Sequence, residues 1–176
     1  MCRYKNKGQQ FAMDFILGVS LFILILSFTL YIWSKNINRI QEKEILDELF
    51  ISNQQASDLL VKTRGMPTDW ESNPQGASSI GLVSDTDRII LESKLDSFIS
   101  MNYTHSKEIM GIGNYDYHFQ LLDPTQKVIN ESGVPPEGDL QISIRRIVTY
   151  KESSAILDLT VWTTAGEGRI RAVPPI

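Results

Sequence analysis

Residues 15–33, FILGVSLFILILSFTLYIW, run for 19 positions without a charge. An uncharged apolar stretch of that length predicts a helix that crosses a bilayer rather than the core helix of a small soluble domain. The chain before it is basic, with Arg3, Lys5 and Lys7 and no acid until Asp14. The chain after it is a mixed-charge helical pattern and then ordinary globular sequence. Whatever this protein does, it is anchored or assembled through that one helix.

Several function classes fall away on composition. The net charge is -4 and no long block of like charge occurs. A nucleic-acid partner, which needs a basic face, is therefore not expected. Cys2 is the only cysteine and lies upstream of the apolar run, so no disulfide is expected downstream. Beyond the leader and apolar helix roughly 140 residues remain, the size of one domain.

A cleaved secretory signal has a shorter apolar core and a small-residue cut site behind it. Here Ser34-Lys35-Asn36 follows, with no A-x-A-like site, and helical patterning continues. The apolar segment is therefore expected to be kept. Basic residues resist translocation, and Lys35, Arg39 and Lys43 are offset by Glu42, Glu44, Asp47 and Glu48. The asymmetry places the N-terminus in the cytoplasm and the remainder outside it.

Asp14 is the odd residue at the edge of the run. One reading is that it marks the membrane boundary. A second comes from its neighbours, Lys7-Gly8-Gln9-Gln10-Phe11-Ala12-Met13-Asp14-Phe15. This stretch resembles the N-terminus of archaeal type IV pilin-like proteins with a class III signal peptide. In that family a short basic leader ends in Lys/Arg-Gly, a prepilin peptidase cuts before a Gln, and an acid follows at the fifth mature position. The resemblance covers about 15 residues and departs from the pattern at one point. A cut after Gly8 makes Gln9 first and Asp14 sixth; a cut after Gln9 makes Gln10 first and Asp14 fifth, but with Gln in place of Gly before the bond. The resemblance implies that Lys7, Gly8, Gln9 and Gln10 form the processing site. It also implies that Asp14 sets register by meeting the freed α-amino group of a neighbouring subunit. An acid at membrane depth needs such a partner. Gly18, Ser20 and Ser27 are small residues of the kind that help helices pack laterally.

Residues 34–64 contain no Pro or Gly, and Ile37, Ile40, Ile45, Leu46, Leu49, Phe50, Ala56, Leu59 and Leu60 recur at helical spacing. One helix from Asp14 outward is expected, about 70 Å long if unbroken. Ser52-Asn53 is the point where a break would fall. Gly65 is expected to end the helix and Pro67 to bar its resumption. Residues 66–87 are loop-like, with Trp70 capping a core and Asp85 or Thr86 capping a second helix over about 87–102. On that helix Leu91, Leu95, Phe98 and Asn102 share a face. Three strands follow: Tyr115, Tyr117, Phe119 and Leu121 alternate with polar residues; Leu140, Ile142, Ile144, Val148 and Tyr150 alternate with Arg146 interrupting; and Ala155, Leu157, Leu159 and Val161 alternate after a short connection at Glu152-Ser153-Ser154. Gly133 to Gly138 is expected to be a loop and Arg169 to Ile176 a loose tail. The sum is an α+β fold, a long N-terminal apolar helix packed against a small antiparallel β-sheet domain, pilin-like in outline. Its parts are a leader (residues 1–9), a transmembrane or filament-core helix (10–34) and an extracytoplasmic domain (35–176).

No catalytic or cofactor constellation is legible, and neither an enzyme activity nor a cofactor is expected. His105 and His118 lack the ligand spacing of a metal site, Gly111-Ile112-Gly113 lacks the rest of a phosphate loop, and Asp85-Thr86-Asp87 lacks the Gly and distal Glu of a calcium loop. Arg145-Arg146 is expected to form ion pairs within the domain. Two N-x-S/T sequons, Asn102-Tyr103-Thr104 and Asn130-Glu131-Ser132, are each expected at an element end or in a loop, where either is a possible glycan acceptor. The expected function is a structural subunit of a surface filament, with a prepilin peptidase, membrane lipid before assembly and other pilin-like subunits as partners. The alternatives are a single-span anchor presenting a binding domain and, less in keeping with these residues, an envelope enzyme.

Overall fold

The computed structural model describes residues 7–138 and 140–163, and of residues 7–12 and 37–42 the backbone only. Arg3, Lys5, Cys2 and the tail from Arg169 lie outside the described residues. The chain divides into two compact units, Met1–Glu44 and Ile45–Ile176.

The first unit is helical from Lys7 onward, within helix α1 (Lys7–Lys62). No Pro occurs in this stretch, Gly18 is its one Gly beyond Gly8, and Leu, Ile and Phe fill the rest. Such residues form a helix readily once no water competes for the backbone.

The second unit begins with the remainder of α1. Leu49, Ala56, Leu60 and Val61 are buried, and Phe50, Ile51, Gln54 and Gln55 are exposed, so the expected amphipathic stripe is present. There is no break at Ser52-Asn53, because Asn53 is turned inward and bonded rather than freeing the backbone. The helix ends at Lys62, earlier than Gly65. The Thr63 hydroxyl donates to the Leu59 carbonyl at 2.8 Å, and Gly65, at φ +81°, instead opens strand β1. A Cβ at Gly65 would run into the Trp70 ring. Trp70 is fully buried and its Nε1 donates to the Gly81 carbonyl at 3.0 Å, so it seals the core as expected.

β1 (Gly65–Met66) pairs antiparallel with β2 (Ser79–Ile80). Then come β3 (Ile89–Ile90), α2 (Glu92–Ser100), α3 (Tyr103–Ile109), β4 (Asp116–Leu122), β5 (Val128–Gly133), β6 (Leu140–Tyr150) and β7 (Ser153–Thr163). Among the described residues the main sheet has five strands in the order β3-β6-β7-β4-β5. It is α+β as expected, but mixed rather than wholly antiparallel, because β3 runs parallel to β6. β6 and β7 form a hairpin closed at Lys151-Glu152, both at positive φ, the geometry of a tight two-residue turn.

Three further expectations are corrected. The second helix spans only Glu92–Ser100, and its N-cap position is Leu91 rather than Asp85 or Thr86. Asp85 pairs instead with Arg64 at 3.0 Å. Leu95 and Phe98 are buried, but Leu91 and Asn102 lie beyond the helix ends and are exposed. Asn102 begins a separate short helix, α3, which the sequence pattern did not announce. Lastly, Asn130 lies within β5 and not in a loop. The core forms where β4 (Tyr117, Phe119, Leu121) and β7 (Leu157, Leu159, Val161) meet α1 and α2. Phe98 packs edge-on against Phe119 at 5.1 Å between ring centroids, and Tyr103 stacks on Tyr117 at 5.0 Å.

Candidate functional site: the exposed apolar helix

Within α1, Met13–Asn36 is 24 residues long with mean hydropathy 2.5. At 1.5 Å per residue it spans roughly 36 Å, enough for a hydrocarbon core of about 30 Å. Among the described residues it is the one helix long and apolar enough to cross a membrane. All its large hydrophobic side chains are exposed, from Met13 and Phe15 to Tyr31 and Trp33. Covering a side chain of that kind is worth about 1.5–3 kcal/mol, so the segment is compatible with an apolar surround such as a membrane.

The polar groups on this segment are handled in ways that suit an apolar surround. The Thr29 hydroxyl donates to the Ile25 carbonyl at 2.9 Å and so needs no water. Tyr31, Trp33 and Lys35 cluster at its C-terminal end, with the Lys35 ammonium 5.8 Å from the Tyr31 ring centroid. Aromatic rings and a long cation are the residues that sit at a membrane–water boundary. At the other end Lys7, Gly8, Gln9 and Gln10 are the first residues of α1, and Asp14 is exposed at the edge of the apolar segment. An added Cβ at Gly18 meets no atom within 4 Å, so the chain itself imposes no demand for glycine there.

The described residues of the domain form partly buried polar contacts. Among the described residues no group of three His, Cys, Asp or Glu is placed to hold a metal ion. Arg145 and Arg146 form ion pairs within the domain: Arg145 Nε lies 2.7 Å from Asp158, which also accepts from the Ser143 hydroxyl, and Arg146 Nη2 lies 2.9 Å from Asp58. Asp58 is also bonded by Lys62 at 2.8 Å. The Lys62 hydrogen bond, with the Arg146 charge behind it, holds the Asp58 carboxyl below its ordinary value against the opposing effect of burial. His118 lies 3.9 Å from Glu131, and His105 Nε2 lies 3.3 Å from the Pro74 carbonyl oxygen.

Lys94, on α2, is buried. Its ammonium donates to the carbonyls of Arg64 at 2.6 Å, Thr68 at 2.8 Å and Val83 at 3.4 Å, with Glu71 at 4.0 Å. Burial pushes its pKa down and Glu71 works against that shift. The cation thus pins the loop after α1 onto α2. Tyr103 and Lys107 both donate to Asp116 Oδ1, at 2.7 and 2.8 Å. Burial, then the bond to Asp116, raises the Tyr103 pKa. None of these partners is close in sequence, so no local pattern could have singled them out. No family model, curated protein or solved structure matches this chain.

Proposed function

We propose that this protein is a structural subunit of an archaeal type IV pilus-like surface filament, cleaved by a prepilin peptidase and assembled through α1. The observation that carries the reading is the exposed apolar segment Met13–Asn36 with Asp14 at its edge, placed directly behind Lys7-Gly8-Gln9-Gln10. Before assembly the segment crosses the cytoplasmic membrane with the basic leader inside and the domain outside. After assembly the helices of neighbouring pilin-like subunits replace lipid around the same side chains. Cleavage frees an α-amino group, and in a low-dielectric surround its attraction to the Asp14 carboxylate of a neighbour is far stronger than in water. That pairing gives subunits a fixed register along the filament.

The reading is tested by sequencing the N-terminus of the mature protein taken from membranes and from sheared surface material. Gln9 or Gln10 as first residue is expected, and Gln10 puts Asp14 at the fifth position. An intact Met1 or Cys2 overturns processing of this kind and leaves a resident single-span anchor that presents its domain to envelope partners.

A further inference from the structure

We infer that Asn102, and not Asn130, accepts an N-linked glycan. The inference rests on the extracytoplasmic placement of the domain proposed above.

The two sequons are alike in sequence and unlike in structure. Asn102 and Thr104 are both exposed. Asn102 Oδ1 accepts from the backbone N–H of Thr104 at 3.0 Å and of His105 at 3.4 Å, an arrangement that folds the tripeptide into an Asx-type turn. The acceptor oxygen is thereby occupied, while the amide nitrogen makes no hydrogen bond among the described residues. Glycosyl transfer needs that nitrogen. A bond forms between Nδ2 and the anomeric carbon of a lipid-phosphate-linked saccharide, the anomeric carbon–oxygen bond breaks, the lipid phosphate leaves with the electron pair, and Nδ2 gives up one proton. The product keeps its side-chain carbonyl, so the cap on α3 survives the modification.

Asn130 offers none of this. It lies within β5, half-buried, with Leu121 as its cross-strand partner; Ser132 sits opposite Phe119. Directly opposed residues share a sheet face, and Leu121 and Phe119 are fully buried. The sequon therefore faces the core side of the sheet, beside α2, where a saccharide would have to part strand from helix. Its extended backbone also provides no turn.

The test is glycopeptide mass spectrometry on the full-length protein purified from the membranes and surface material of its source cells. A saccharide mass is expected on the peptide holding Asn102 and none on that holding Asn130. It should vanish in Asn102→Asp, which keeps the capping oxygen, and in Thr104→Val, which keeps the fold, and persist in Asn130→Gln. An unmodified Asn102 or an occupied Asn130 overturns the inference. Protease treatment of intact cells says which premise failed: a domain that is cut yet bears no glycan refutes the acceptor assignment alone, whereas a protected domain refutes its placement outside the cytoplasm.

Discussion

Asn53 on α1 donates its side-chain amide to the carbonyl oxygen of Leu159 on β7 at 2.9 Å, and to that of Ile142 on β6 at 2.6 Å. A fully buried residue thus joins the helix to two adjacent inner strands of the sheet. Asn53→Leu fills the space but removes both donors, and is expected to cost about 1–3 kcal/mol. Chemical denaturation of the full chain in detergent, followed by tryptophan fluorescence, measures it. A neutral substitution would show that helix and sheet are held by apolar packing alone.

Lys94 carries a comparable role for the loop between α1 and α2. Lys94→Met leaves three carbonyls, that of Val83 buried, and the Glu71 carboxylate without their cation, so a loss of roughly 3 kcal/mol is expected. Adding Glu71→Gln should recover part of it, since the residual cost of an uncompensated acid is then removed. Additive losses in the double variant would contradict the ion-pair account.

Asp58 gives the stability a defined acid dependence. Its folded-state pKa is depressed below the ordinary 3.8 by Lys62 and Arg146, so its contribution is fully present above that value and is lost as pH falls through the depressed one. Asp58 and Arg146 are both about one-third exposed, at 29% and 34%, which limits the pair to about 0.5–1 kcal/mol. Asp58→Asn should therefore melt lower than the parent chain at neutral pH, with the gap closing in acid. A gap that widens in acid would reverse the sign of the argument.

The apolar helix is tested with substitutions that leave the chain itself undisturbed. Asp14→Ala should insert into membranes normally while its share in surface filaments falls; unchanged incorporation would remove the register role. At Gly18 an added Cβ meets no atom within 4 Å, so a loss in assembly of Gly18→Leu is expected to report a neighbour's helix packed there. A penalty near 1.4 kcal/mol per contact corresponds to roughly tenfold weaker association. Equal incorporation of Gly18→Leu would mean that this face meets lipid or solvent in the assembled state.

Much of the architecture was legible along the chain. The charge-free run, the helical stripe through Leu49, Ala56 and Leu60, and the alternations in β4, β6 and β7 all repeat a local period, and a period is visible without knowing the partner. β5 was missed because Val128 and Ile129 are its only large apolar residues, and it is a strand through its pairing with β4. β3 is two residues long and exists only where β6 receives it. The apolar segment, Met13–Asn36, was legible from hydropathy because its apolar character is a property of consecutive side chains.

Tertiary structure alone decided the fate of the polar residues. Asn53 and Lys94 are polar residues on helices, and each is buried because carbonyls far away in the chain accept from its side-chain nitrogen. Asn102 and Asn130 are the same motif, and become different groups because one caps a helix at the surface while the other lies opposite Leu121 on the core side of a strand. Burying a polar group is tolerated only where hydrogen-bond partners converge on it. That convergence is set by the packing of distant segments, whereas the apolar helix is defined by consecutive residues.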